Sequence, residues 1–439
     1  MRRFLTALAL VSFPLPVQAE EVRSAIARDM PGLMEIYRDL HANPELSFQE
    51  VRSARIMAEA ARKAGFTVTE KVGRTGVVAV LKNGQGPTVL IRADMDGLPV
   101  TEQTGLPFAS TRRGTSTAGV ESGIMHACGH DTHMTAWIET ARLMAARKAE
   151  WSGTLVMIGQ PAEELGLGAR AMLDDGLYTR FPKPDYALAF HDTPELPAGT
   201  VGAAKGWALA NVDSVDLLVR GTGGHGAYPH TTRDPIVLAS AIVMKLQTLV
   251  SRENNPQDPA VVTVGSFHAG AKHNIIPAEA KLELTVRSYS DETRARLLEG
   301  IGRIARGEAI ASDIPEDRMP QVSVKEPYTR ATWNTPDFTE EAIADLKTKM
   351  GADGVVFTPA VMGGEDFGEF RRADVDRVKS LILWVGGSDP AKLAQAKAGG
   401  PSMPSLHSPF WAPAADKVIG SAAEALTLTS LRLMPPRPH

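Results

Sequence analysis

Nine residues, Met125-His126-Ala127-Cys128-Gly129-His130-Asp131-Thr132-His133, hold three histidines, an aspartate and the only cysteine of the chain. Thiolate and imidazole are donors that borderline divalent cations accept, and Gly129 frees the backbone to turn so that Cys128 and His130 converge. A lone thiol or histidine packs into a core without any function. So many ring nitrogens in one short stretch are costly to bury unless they share a ligand, and the cluster reads as a metal centre.

Further donors leave apolar strands. Gln160-Pro161-Ala162-Glu163-Glu164 follows the run Leu155-Val156-Met157-Ile158. At such an exit one glutamate can bind a metal while its neighbour holds water and takes its proton. Arg92-Ala93-Asp94-Met95-Asp96-Gly97 and His191-Asp192 repeat the pattern, and open α/β sheets gather ligands at the carboxyl ends of strands. Asp94 and Asp96 suit either an orienting role or a turn cap. His407, in Ser405-Leu406-His407-Ser408-Pro409, has no local structural reason.

The elements that must position these groups follow from periodicity. Helices are expected at 22–43, kinked or divided at Pro31-Gly32, and at 47–64, 132–148, 234–252, 291–310, 337–350 and 414–428. Strands are expected at 76–82, 88–93, 153–159, 186–190, 212–220, 261–267, 280–288 and 381–385. Their order predicts an α/β fold: a catalytic domain with a largely parallel central sheet flanked by helices, formed by 20–210 and 326–433. Residues 211–325 read as a smaller inserted α+β domain. Residues 434–439, with three prolines, read as a disordered tail.

At 439 residues the chain is long enough for two or three domains. Its net charge of -4 and 22% charged residues supply no basic stripe for nucleic acid. One cysteine permits no intramolecular disulfide. Arg2 and Arg3, the apolar run from Phe4 to Val11 and the small-residue site Val17-Gln18-Ala19 predict a signal peptide over 1–19. The expected mature protein begins at Glu20 and is periplasmic or secreted. No other stretch reads as a membrane span.

Several strings together carry a resemblance. The 125–133 cluster, Gln160-Pro161-Ala162-Glu163-Glu164, His191, Gly224-His225-Gly226-Ala227-Tyr228-Pro229-His230, Asn274-Ile275-Ile276-Pro277 and Leu406-His407-Ser408-Pro409 occur in this order. The chain resembles, over nearly its whole mature length, the metal-dependent amidohydrolases that include hippurate hydrolase, aminobenzoyl-glutamate hydrolase and the plant auxin-conjugate hydrolases. These are relatives of aminoacylase and glutamate carboxypeptidase.

The resemblance implies two divalent metal ions per chain (Zn, Mn, Co or Ni) held by Cys128, His130, Glu164, His191 and His407, with Glu163 as general base. It implies that the insert is a lid and dimerisation domain of a homodimer. His225, Asn274 and Arg287 would bind the substrate, an N-acetyl, N-benzoyl or aminobenzoyl amino acid, with His225 acting in its own or the partner's active site. After His407 the family continues with acidic and aromatic residues, whereas this chain reads Ser408-Pro409-Phe410-Trp411-Ala412-Pro413. Two other functions compete: a hydrolase with Cys128 as nucleophile and His130 as base, and a catalytically silent periplasmic binder of metal or acyl amino acid.

Overall fold

The computed structural model describes residues 15–436. Residues 1–14, which hold most of the expected signal peptide, and tail residues 437–439 lie outside the described residues. Runs such as Leu155-Val156-Met157-Ile158 have no polar face, so their strands must be covered on both sides. They form an eight-stranded sheet in the order Thr67–Val72, Gly76–Asn83, Gly153–Gln160, Thr88–Asp94, Tyr186–Pro197, Lys379–Ser388, Val201–Ala203, Val355–Phe357. The central four, Gly153–Gln160 to Lys379–Ser388, run parallel. Thr67–Val72 and Gly76–Asn83 join antiparallel at one edge. The expected α/β architecture is present.

Two differences from the sequence expectation have simple causes. Thr67–Val72 has no apolar run because, at the edge, most of its side chains meet solvent. Tyr186–Pro197 does not stop at Phe190 but continues through His191, which pairs with Trp384. His191 is thus a strand residue and not part of a loop. Because Asp94 lies opposite Gln160 and Arg92 opposite Ala189, the donors after all three strands still arrive at one sheet edge.

Leu15–His41 is one helix with Pro31 inside it. The stripe Val22, Ile26, Leu33, Tyr37 and Leu40 runs buried across the proline, and this burial carries the helix past the lost hydrogen bond. The expected cleavage junction lies within this helix, where Ala19 is 2% exposed and Gln18 Nε2 donates to Glu150 Oε2 at 2.9 Å. At the other end the helix Ala415–Leu433 leads into Met434, assigned from sequence to the disordered tail. Met434 is instead buried, and its carbonyl accepts from the Ser152 amide at 3.0 Å. Its thioether has apolar surface to cover, which the prolines beyond it do not.

The insert is a four-stranded antiparallel sheet in the order Ala260–Ala269, Glu279–Ser288, Asn211–Arg220, Gln321–Val324. Val215, Leu217, Leu282 and Leu284 alternate inward against the helices Pro235–Thr248 and Asp291–Ala311. Entry and exit are tied together. Val212 and Thr329 exchange backbone hydrogen bonds, and Asn211 Oδ1 accepts from the Ala331 amide at 2.7 Å. Contrary to the sequence expectation, Pro235–Glu253 is long and apolar enough to cross a membrane by length and composition. Here its inner face packs into the insert core, while Val237 and Met244 stand 67% and 72% exposed.

Behind the site, the helix His130–Ala146 buries Glu139 with neither carboxylate oxygen hydrogen-bonded. Burial pushes this carboxyl up to about 7, against the pull of Arg142. The folded chain therefore holds a proton that the unfolded chain releases near 4.5. The resulting stability is complete below about 4.5 and is lost as pH rises through about 7. Glu139→Leu should gain about 1–3 kcal/mol over the native chain on going from pH 4.5 to pH 8. Urea midpoints at the two pH values read the gain, and an equal difference at both would contradict it.

Candidate metal centre

Asp96, just beyond the strand Thr88–Asp94, sets the register of the site. Its carbonyl accepts from His130 Nδ1 at 2.7 Å. Its carboxylate accepts from the amides of Glu163 and Glu164, both at 3.1 Å, and from the Ser47 hydroxyl at 2.6 Å. Glu50 clamps the same turn from behind, accepting from the Ala162 amide at 2.8 Å and from Thr75 Oγ1 at 2.5 Å. Ala162 has φ 47°, so the chain enters Glu163 through a left-handed residue that these bonds hold in place. Of the two roles open to Asp96, the structure shows the orienting one.

The imidazoles are oriented by a common device. His130 and His191 each direct Nδ1 at a backbone carbonyl, of Asp96 and of Asp192 (both 2.7 Å), which leaves Nε2 facing the site. His133 instead donates from Nδ1 to Asp94 Oδ1 at 2.5 Å and accepts from the Asp192 amide at Nε2, so both its nitrogens are used. Gly129 has φ 77°, and a Cβ there would collide with the Asp192 carboxylate. The glycine between Cys128 and His130 is therefore required by close approach as well as by the turn.

Cys128 Sγ lies 3.2 Å from His407 Nε2 and 3.5 Å from His191 Nε2. Glu164 Oε2 is 3.5 Å from His407 Nε2, and Glu164 Oε1 is 3.9 Å from His130 Nε2. Donor atoms of Cys128, His130 and His191, and of Cys128, Glu164 and His407, each fall within 4.8 Å of one another. Among the described residues, His130 Nε2 and Glu164 Oε1 are buried without a hydrogen-bond partner. Two buried lone pairs aimed at one space are what cation ligands look like before the cation is added, and the mixed S, N and O donor set fits a borderline divalent ion.

Electrostatics points the same way. Burial, with Glu164 and Glu163 beside it, pushes the Cys128 thiol well up. Burial and then Glu365, Glu164 and Asp366 push Glu163 well up, with Arg92 pulling it down. Arg92 is fully buried and engages Asp94, Glu365 and Gln160 at 2.7–2.8 Å. With that guanidinium committed to its own carboxylates, added positive charge is what would let Cys128 and Glu164 ionise together.

The centre forms the floor of a cleft of about 880 Å³ between the main domain and the insert. Glu163 reaches the cleft beside Glu164, and Leu196, Val361 and Trp384 supply an apolar flank. Arg287 stands in the opposite wall, bonding Thr285 Oγ1 at 2.9 Å and the Met362 carbonyl at 3.3 Å, neither of them charged. His225 and Asn274 are brought together elsewhere. His225 lies on the exposed pair of Gly224–His225 with Ile275–Ile276 and Asn274 just before its second strand, where the Gly226 amide donates to the Asn274 carbonyl at 2.9 Å, and neither lines this cleft.

Sequence reasoning passed over Arg92 and Glu50. Arg92 was signalled by a charge inside an otherwise apolar strand. Glu50 had no such signal, since it looks like any glutamate at a helix start.

The family model of peptidase family M20/M25/M40 matches residues 90–397. Hippurate hydrolase of Campylobacter jejuni is 38% identical over 345 residues, 78% of this chain and 86% of that protein. N-acetylcysteine deacetylase of Bacillus subtilis is 36% identical over 357 residues, 81% and 88% of the two chains. Among solved structures, a dinuclear metal-binding peptidase of the M20 family from Bacillus subtilis superposes with a TM-score of 0.73 at 29% identity, covering 93% of this chain and 99% of its own. With the matched model spanning well over half of the residues, this chain belongs to peptidase family M20/M25/M40.

Proposed function

We propose that this protein is an exported, dinuclear metal-dependent amidohydrolase that splits N-acyl amino acids into a carboxylic acid and a free amino acid. The observation that carries the reading is the convergence of Cys128, His130, Glu164, His191 and His407 around two partnerless buried donors, with Glu163 alongside. The relatives that act on hippurate and N-acetylcysteine suggest the substrate class. Divalent ions bound there supply Lewis acidity, lowering the pKa of water from about 16 towards about 7 and polarising the acyl oxygen.

The chain's own residues do the rest. Glu163, in the cleft and not among the five ligands, takes the proton from the attacking water and returns it to the departing amine nitrogen. Arg287, free of any bond to a charged group, offers a forked contact to the substrate carboxylate. The flank of Leu196, Val361 and Trp384 suits the acyl group.

A homodimer is part of the reading. The exposed Val237 and Met244 and the sheet-edge strand Ala260–Ala269 offer a second copy an apolar face and an open edge. His225 and Asn274, away from their own cleft, would then serve the partner's site. The cysteine alternative would need a base other than His130, whose Nε2 makes no hydrogen bond among the described residues, whereas the imidazoles beside Cys128 Sγ are His191 and His407.

Chelation should abolish hydrolysis of a panel of N-acetyl, N-benzoyl and aminobenzoyl amino acids, and added metal should restore it. Glu163→Gln should keep its metal while kcat falls at least about 100-fold. Activity that survives metal removal would move the chemistry to Cys128, and an unaffected Glu163→Gln would remove the assigned base. Export predicts that the mature protein begins at Glu20, which N-terminal sequencing reads directly. An intact Met1 in the extracytoplasmic fraction would contradict it.

A further inference from the structure

His407 is the least supported of the five proposed ligands. Its side chain is 56% exposed, against 0%, 7% and 8% for His130, His191 and Glu164. It has φ 66°, a left-handed conformation that costs a histidine energy unless its surroundings impose it. It lies in a loop without regular structure between the helices Pro390–Lys397 and Ala415–Leu433. Its imidazole meets Cys128 and Glu164 at Nε2 but is otherwise open to the cleft, so the loop is also held by its backbone and by the residues C-terminal to His407.

Four residues on, Trp411 is 2% exposed and donates its indole N–H to Asp192 Oδ2 at 3.0 Å. Its ring closes over Gly387, where an added Cβ would sit 3.1 Å from it. Between the two, the Trp411 amide donates to the Ser408 carbonyl at 3.1 Å, making a compact turn. The His407 amide donates to the Ala127 carbonyl at 2.8 Å, and the Pro409 carbonyl accepts from the Gln103 amide at 2.8 Å. Asp192 comes directly after His191, and its carbonyl orients that imidazole. Its Oδ1 lies 3.3 Å from His191 Nδ1. One carboxylate thus touches the indole that ends the His407 turn and the residue that aims His191.

We propose that Trp411 is a positioning residue, its indole N–H fastening the His407 turn to Asp192 so that His407 stays in register with His191. This rests on the ligand reading above. The loss of the N–H leaves the ring in place and frees the turn to drift, and the cost falls on the ion that His407 helps to hold.

The test is metal release from the loaded protein into a chromophoric chelator, with urea midpoints alongside, for the native chain, Trp411→Phe, Trp411→Leu and His407→Ala. Trp411→Phe is expected to hold one of two ions about 10–100-fold more weakly. The other ion should be unaffected and the urea midpoint near native, so that the variant resembles His407→Ala in which ion it loses. Native affinity for both ions in Trp411→Phe, with weakening confined to Trp411→Leu, would overturn the proposal, since packing alone would then suffice. Equal weakening of both ions would also count against it, as general loosening. A native chain that binds no divalent ion would bring down the ligand reading, and this proposal with it; a failure of Trp411→Phe alone leaves that reading standing.

Discussion

The Asp96 side chain and carbonyl bring together three segments far apart in sequence. By accepting two consecutive amides, Asp96 fixes where the strand Gly153–Gln160 hands over to Glu163 and Glu164. By accepting from His130 Nδ1, it fixes which nitrogen of that ring faces inward. The proposed base and two of the proposed ligands therefore share one frame. The parallel pairing of Thr88–Asp94 with Gly153–Gln160 supplies that frame, since it puts both strand ends at one sheet edge. A shift of register there would separate Glu163 from the donors it is meant to serve.

Around this frame the structure concentrates negative charge. Arg92 is saturated by Asp94, Glu365 and Asp366, and Asp192 is held down to about 2, burial notwithstanding, by the imidazoles of His133 and His191 beside it. The cleft floor then adds Cys128, Glu163 and Glu164. Burying so many acids is unfavourable without a compensating cation, and breaking a buried pair typically costs about 3–5 kcal/mol. The same arrangement suits the centre to a divalent cation.

How much was readable in the sequence depended on how local each interaction is. Cys128 and His130 lie within three residues, and Glu163 and Glu164 leave an apolar strand, so residue type and spacing were enough. The alternation in 212–220 and 280–288 likewise exposed the sheet of the insert, because one face is buried and the other is not. His407 meets Cys128 across 279 residues. No local pattern reports such a contact, and only the family resemblance pointed to it. Glu50 and Asp96 act by accepting backbone amides, which any sequence supplies, so their partners could not be read. His225 and Asn274 fall outside the cleft, at an exposed strand pair of the insert that no local pattern ties to the site. Met434 shows the opposite error, in which proline content gave a misleading signal.

Anomalous diffraction from crystals of the metal-loaded protein, collected at the absorption edge of the bound ion, tests the dinuclear centre most directly. Two peaks about 3.5–4 Å apart are predicted, sharing Cys128, His130, Glu164, His191 and His407 as ligands, with Glu163 beside them and unligated. A single peak, peaks away from these five side chains, or Glu163 occupying a ligand position would contradict it.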